Sequence, residues 1–528
     1  MPFSHHIPVV DLFAGPGGLG EGFSSAKGDP FRIVVSAEMD ASAHATLRLR
    51  AYYRLLKRKG ENWLRPYYNY CNGLSETPYD LSTLAEWEEA GQEALQLTLG
   101  QKEDDKILDS VIKRNHIGPD KFWILIGGPP CQAYSLVGRS RNQGKKDYRP
   151  EDDHRHFLYR EYLRIIQQFR PSIFVMENVK GILSSSVGDQ RIFHTILKDL
   201  SDPDTACGRT RSRNGYRIHS LSCPTVFDRS MTPENIDARD FIVRAEEYGI
   251  PQARHRVILV GIREDIDVHP EPLKVSNEYV TVEQAIGNLP KLRSKISKGE
   301  DSSENWHKQV SGHLHELANE AKTIPDLKHL ASAIKSQLKL LPKGQETGEL
   351  RLQKETRNES DRNELAKWYG KNKALSVWLN HEARGHMTDD LRRYGYAAIY
   401  AQIYGRSPKG HKEFILKGLK PNHENWESGK FSDRFRVQTA NTPATTVTSH
   451  ISKDGHYFIH YDPLQCRSLT VREAARLQTF PDNYFFQGNR TQQYHQVGNA
   501  VPPLLSKKIA DLIFQKYLTR KSSTAPKK

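Results

Sequence analysis

Four short apolar runs constrain this chain most. They lie at residues 7–10, 31–37, 122–126 and 171–176, and a glycine, proline or acidic residue ends each one. Near-continuous apolar runs of strand length read as strands buried on both faces, the mark of a parallel sheet between helical layers. Polar, helix-patterned stretches alternate with them. The sequence therefore predicts an open α/β sheet of parallel strands. Such sheets place ligands at the carboxyl ends of their strands, so the residues that stop each run are the candidate site. They are DLFAGPGGLGEGF from Asp11, Glu38-Met39-Asp40, GGPPCQAYS from Gly127, and Glu177-Asn178-Val179.

In the first loop, Gly15, Gly17, Gly18 and Gly20 let the backbone turn sharply and approach a ligand, with a helix to follow. Glu38 stands about twenty residues on, at the end of the second strand, where a carboxylate accepts hydrogen bonds from ribose hydroxyls. Met39 beside it suits an adenine ring. In the third loop two glycines and two prolines stop the strand abruptly and are followed by Cys131. A thiol on a stiff loop above a sheet is a candidate nucleophile; a buried structural cysteine is the alternative. The polar stretch that follows, with Arg139, Arg141, Lys145 and Lys146, suits a lid. Glu177 ends the next strand, close to Cys131 if the two strands are neighbours. Gln252, Arg254 and Arg256 lead into a further strand at 257–261 and suit substrate anchoring.

Composition narrows the partners. The 528 residues carry a net charge of +14, which favours a polyanion, nucleic acid first. Further basic clusters occur at Arg209, Arg211 and Arg213, and at Lys291, Arg293, Lys295 and Lys298. The 5 cysteines include no C-x-x-C pair, so neither a zinc ribbon nor a disulfide framework is supported and no metal is expected. No apolar run is long enough to span a membrane. The amino terminus reads as a first strand and not as a signal peptide, so a cytoplasmic protein is expected. Residues 41–121 read as a helical insertion around a third strand of unfixed position. Residues 431–460 read as strands with turns, on the β-branched run Thr445-Thr446-Val447-Thr448. Residues 467–486 read as a capped helix, and 496–518 as a Gly-Asn turn followed by an amphipathic helix.

In order, DLFAGPGGLGEGF, SAEMD, GGPPCQAYS, ENV, QARHR, RSLTVREAARLQTFPD and QVGNAVPP resemble the motif series of the C5-cytosine methyltransferases, which use S-adenosylmethionine. The match covers roughly residues 7–60, 122–290 and 440–518. The resemblance implies a doubly wound, Rossmann-like α/β catalytic domain over 1–292 with the insertion at 41–121, and a smaller, variable target-recognition domain over 293–440. Carboxyl-terminal motifs and a helix returning to the catalytic domain follow over 441–518, then a basic tail over 519–528. It implies a cofactor site of Phe13, Ala14, Gly15, Gly17, Gly18, Glu38, Met39, Pro129, Asn499 and Val501. The catalytic set it implies is Cys131 as nucleophile on cytosine carbon 6, Glu177 as acid at ring N3, and Asn178 shaping that corner. Arg254 is expected on the base carbonyl or the acid, with Arg256 in support. The family's acid after the third strand, which meets the adenine amino group, has only Asn72-Gly73 or Asp80 as nearest equivalents, and neither matches.

The expected activity is methylation of a flipped cytosine in a specific duplex DNA sequence, in a restriction-modification or defence system with cognate restriction or defence proteins as partners. Association with the nucleoid is expected when DNA is bound. A tRNA cytosine methyltransferase shares these motifs, but the long stretch between QARHR and the carboxyl-terminal motifs suits a duplex-reading module. A catalytically silent DNA-binding regulator is opposed by the intact Cys131, Glu177 and Arg254. Cys131→Ser is expected to abolish methylation and covalent trapping on a 5-fluorocytosine duplex while sparing non-specific binding; an unchanged rate would refute the mechanism.

Overall fold

The computed structural model describes residues 6–130, 158–187, 190–211, 214–355, 364–370, 373–421, 426 and 433–523. Its central sheet is built from β1 (Ile7–Leu12), β2 (Phe31–Glu38), β3 (Ala94–Gln96), β4 (Ile124–Gly127), β5 (Ile173–Val179), β6 (Tyr216–His219), β7 (Val226–Phe227), β8 (Ile242–Arg244) and β9 (His255–Arg263). The order is β3-β2-β1-β4-β5-β9-β6-β7, and β8 pairs with the first residues of β9. The first five strands run parallel, and β9 returns antiparallel to β5. The doubly wound expectation is met, and the third strand is the short β3 late in the 41–121 stretch.

Alternation along each strand separates two cores. Val10, Leu12, Val35, Leu125, Phe174 and Met176 face one layer, with residues of α3 (Lys102–Arg114), α4 (Leu158–Phe169) and α5 (Ile192–Ser201). Ile7, Val9, Ile33, Ile126, Val175 and Val260 face the other, with residues of α1 (Gly18–Ser24) and α11 (Pro503–Ser523). A third cluster joins Trp306 and Leu314 of α6 (Ser303–Thr323), Leu330 and Ile334 of α7 (Lys328–Leu340), and Leu391 and Tyr394 of α8 (Thr388–Tyr404).

The carboxyl-terminal segment is tied in by buried arginines. Arg467 pairs in a fork with Glu473, at 2.7 Å to each oxygen, and donates to the Leu292 carbonyl. Arg476 pairs in the same way with Asp482 and donates to the Ala285 carbonyl. Arg472 donates to the carbonyls of Leu379, Pro481 and Tyr484. Thr470 and Glu473 form a capping box on α9 (Val471–Leu477). The helix is shorter than the 467–486 stretch suggests because Thr479 takes φ 61°, leaving helical geometry before Pro481.

Two further expectations are corrected. Gly498-Asn499 is not a turn: it ends α10 (Arg490–Asn499), whose capping box at Asn489 and Gln492 starts the helix well before it. Of the expected strands at 431–460, Ala444–Thr445 is the one that forms among the described residues, paired with Gln252–Ala253, while Val437 and Ile459 make a single bridge. Side chains hold much of the β-branched run: Val447 N donates to Gln252 Oε1 at 2.7 Å, and Thr445 N to Gln438 Oε1 at 2.9 Å. The backbone of α11 continues to Ser523, into the stretch read as a tail.

α11 does return to the sheet, by backbone contact with α1. A Cβ on Gly18 would lie 2.2 Å from the Val501 carbonyl oxygen, and one on Gly22 would lie 2.3 Å from Ser506 Cβ and 2.5 Å from the Pro503 oxygen. Ser506 Oγ donates to the Leu19 carbonyl at 2.8 Å. Gly22→Ala is therefore expected to destabilise the protein by about 1–3 kcal/mol through overpacking. Urea unfolding checks this, and a loss within about 0.5 kcal/mol, the range of an ordinary surface change, would mean the helices separate freely.

Candidate functional site

Strand order reverses at β1, which has β2 on one side and β4 on the other. Such a switch point opens a crevice beyond the carboxyl ends of the strands. Leu12 is in register with Gly127, and Gly127 with Met176, so the loops after β1, β4 and β5 emerge together. β4 and β5 are neighbours, as the placing of Glu177 near Cys131 requires. Glu177 and Asn178 lie inside β5 and not just beyond it.

The loop after β1 turns through three left-handed residues: Phe13 at φ 57°, Gly15 at φ 57° and Gly17 at φ 95°. For phenylalanine this geometry costs about 1–2 kcal/mol, so the loop needs anchors. Ala14 N donates to the Ala37 carbonyl at 3.1 Å, and Gly17 N to the Ala14 carbonyl at 2.9 Å. Gly15 N and Asp40 N donate to the two oxygens of Glu38, each at 2.8 Å. The Glu38 carboxylate thus clamps the loop to the end of β2, and each oxygen keeps a second lone pair for a hydroxyl donor. Burial raises its pKa above the usual carboxylate range, against the pull of the Asp40 and Gly15 amides. Among the described residues, chain neighbours aside, no atom lies within 4 Å of a Cβ built on Gly15, and Met39 beside the clamp is 61% exposed.

Two neighbours complete this end. Gln96 ends β3 in register with Glu38, and its exposed carboxamide reaches the Met39 carbonyl at 3.5 Å. It occupies the place at the third strand for which Asn72 and Asp80 were the sequence candidates. Those two are elsewhere: Asn72 bonds Ala374 and Ser376, and Asp80 caps its own turn at Ser82. A polar residue one strand over was the available signal, but β3 is three residues long and its position escaped detection. On the other side Asn499 Nδ2 meets His495 Nδ1 at 3.2 Å, and His495 acts electrostatically on Asp40. Gly18 and Val501 are buried against each other.

At the β4–β5 end, Pro129 is buried and its carbonyl accepts from Asn178 Nδ2 at 3.2 Å. A Cβ on Gly128 would sit 3.0 Å from Glu177 Oε2, so the bare loop lets the acid lie over it. Glu177, 13% exposed at its side chain, pairs with Arg256 through Oε1 and Nε at 2.8 Å. Cys131 and the 139–146 lid lie outside the described residues.

Of the two arginines, Arg256 and not Arg254 meets the acid. Arg254, 2% exposed, makes no hydrogen bond to Glu177; it donates to the Val447 carbonyl at 2.8 Å and to the Gly498 carbonyl at 3.3 Å. Its Nε has no partner among the described residues. Burial and the adjacent Arg256 push its pKa well below the usual arginine value. Arg256, within β9 opposite Val179, is the residue on the acid. The basic cluster at 291–298 is also partly used internally: Arg293 is buried on Asp301, Lys295 pairs with Glu382, and Lys298 is exposed.

Asp11 is fully buried below the glycine loop, and neither carboxylate oxygen has a hydrogen-bonding partner among the described residues. Burial raises its pKa to about 8, against the attraction of Arg54. The folded state therefore holds a proton that the unfolded chain has released, and Asp11 makes stability fall as pH rises from about 4 to about 8. Asp11→Asn removes that dependence. Relative to the parent, the variant is expected to gain up to about 1.4 kcal/mol per pH unit between pH 5 and 8. Denaturant titrations at several pH values check this, and parallel profiles would refute it.

Similarity to known proteins agrees with this geometry. Residues 70–204 and 240–515 match the sequence model of the C-5 cytosine-specific DNA methylase family. The Type II methyltransferase M.Bpa9945I of Bacillus paralicheniformis is 34% identical over 520 residues, covering 95% of this chain and 97% of that protein. M.DdeI of Desulfomicrobium norvegicum is 26% identical over 520 residues, covering 96% and 88%. A crystal structure from E. coli, described as a candidate DNA modification methyltransferase encoded within a prophage, superposes with a TM-score of 0.52 at 19% identity over 97% of this chain and 99% of that one.

Proposed function

The chain belongs to the C-5 cytosine-specific DNA methylase family, and from that premise we propose that it methylates carbon 5 of a cytosine flipped out of duplex DNA, with S-adenosylmethionine as methyl donor. The observation that carries this reading is the corner where Asn178 holds the Pro129 carbonyl and Glu177, paired with Arg256, lies over Gly128. It supports a loop that delivers Cys131 beside an acid.

The residues at the switch point fit the cofactor. Glu38 has lone pairs for ribose hydroxyls, and Met39 offers an exposed apolar face. The Gln96 carboxamide accepts from an adenine amino group and donates to a ring nitrogen, as glutamine does with adenine elsewhere. Phe13, Ala14, Gly15 and Gly17 shape the turn, while Asn499 closes the opposite side. When bound, S-adenosylmethionine supplies an electrophilic methyl group.

The protein's own groups do the rest. The Cys131 thiolate adds to cytosine carbon 6, forming a carbon–sulfur bond and making carbon 5 nucleophilic. Protonated Glu177 donates to ring N3 and neutralises the charge that addition leaves on the ring. Arg256 orients that acid and faces the base, whereas Arg254 holds 447 and 498 in place around the corner. After methyl transfer the carbon-5 proton passes to water as base and its bonding electrons re-form the 5,6 double bond, expelling the thiolate of Cys131.

The reacting base must leave the duplex stack. Residues 293–440 form the recognition part and read the neighbouring bases; the catalytic part is completed by 441–518. The names of the relatives support a modification role within a restriction-modification system. Among the described residues no helix is long and apolar enough to cross a membrane, consistent with action in the cytoplasm on nucleoid DNA. The test is methyl transfer from labelled S-adenosylmethionine to duplex DNA and to tRNA, followed by bisulfite sequencing of DNA from expressing cells. Label in DNA and converted-resistant cytosines at one sequence are expected. Label in tRNA alone would overturn the reading.

A further inference from the structure

The glycine loop is anchored from both ends of the chain. Its bonds to Ala37 and Glu38 come from nearby sequence, but the Pro16 carbonyl accepts a hydrogen bond from the hydroxyl of Tyr484. Tyr484 is fully buried, and a Cβ on Gly17 would lie 3.0 Å from its hydroxyl oxygen. Its ring packs on Phe480 and Phe486, with centroids 4.8 and 5.3 Å away. Arg50 of α2 (Ala41–Lys59) lies over the same ring at 4.8 Å, and pairs with Glu21 of α1 at 2.6 Å. The Tyr484 carbonyl accepts from Arg472 Nη2 at 2.5 Å, and Arg472 Nε donates to the Leu379 carbonyl at 2.8 Å. The hydroxyl is therefore held in place by a segment rigid in its own right.

We propose that Tyr484 is a positioning residue for methyl transfer: its hydroxyl holds the Pro16 carbonyl and keeps the glycine loop in the shape that receives the cofactor. A buried tyrosine always needs an acceptor for its hydroxyl, and a phenylalanine would fill the same space among Phe480 and Phe486 without one. What distinguishes this acceptor is its place. It lies between Gly15 and Gly17, in a loop whose Phe13 is held in a left-handed conformation at a cost. Without the tether the loop can relax toward shapes that bind less well, and the affinity falls by the fraction of molecules that relax. The position acts on the cofactor through the loop and touches no reacting atom.

This inference rests on the reading of the glycine loop as the S-adenosylmethionine site. The experiment compares the full-length protein with Tyr484→Phe, which removes one oxygen atom. Calorimetric titration with S-adenosylmethionine and with S-adenosylhomocysteine comes first; failure of the parent protein to bind either refutes the cofactor reading itself. Given binding by the parent, the variant is expected to bind both roughly five- to tenfold more weakly, the effect of one lost hydrogen bond. Its KM for the cofactor should rise by the same factor, with kcat at saturating cofactor and the Kd for duplex DNA unchanged. Cofactor affinity within twofold of the parent would overturn the proposal. So would equal losses for DNA and cofactor, or a variant that does not fold, since either marks a tyrosine needed only for the fold.

Discussion

Three guanidinium groups buried in the carboxyl-terminal segment hold this structure in register. Arg467, Arg472 and Arg476 are each no more than 2% exposed. A buried cation is tolerated only when its donors are satisfied. Arg467 and Arg476 answer this with forked carboxylate pairs, and all three also take backbone carbonyls. Each has at least one such carbonyl far away in sequence: Leu292 for Arg467, Leu379 for Arg472 and Ala285 for Arg476. The last part of the chain is thereby fixed to the segments that follow the sheet. From that fixed base Tyr484 reaches the glycine loop, and α11 runs back along α1.

The chemistry inherits this rigidity. Glu177 and Asn178 are neighbours on β5, so their side chains leave opposite faces of the strand. One turns to Arg256 and Gly128, the other to the Pro129 carbonyl. Arg254 and Arg256 stand two residues apart near the start of β9, and only Arg256 meets the Glu177 carboxylate. The two guanidinium groups outnumber the one carboxylate at this corner, the balance that the proposed addition to a base calls for. Arg254 meets only carbonyl dipoles, and its cost is supported by the close packing of Gly498 on residues 448–449.

Much of this was readable from local pattern. Strands β1, β2, β4 and β5 appear in the sequence because burial on both faces demands unbroken apolar runs. The loops that end them are marked by glycine and proline. Contacts set by distant partners were not readable. The motif with Arg254 and Arg256 does not say which guanidinium meets Glu177, because the outcome depends on the antiparallel register of β9 on β5. The β-branched run at 445–448 resembles a strand, yet its amides are taken by the side chains of Gln252 and Gln438. Gln96 was missed because a three-residue edge strand has no periodicity to detect.

The sequence by itself determined the order of strands and loops, the residue types of the site and the family, since each depends on short stretches of chain. The tertiary structure decided which residues meet. It gave Arg256 to the acid and Arg254 to the backbone of 447 and 498, and it put Gln96 beside Glu38. It spent Gly18 and Gly22 on the return of α11, and tied the first loop to Tyr484. Each of these is a pairing across the fold, and which partner wins is settled only when burial forces every polar group and every backbone surface to find one.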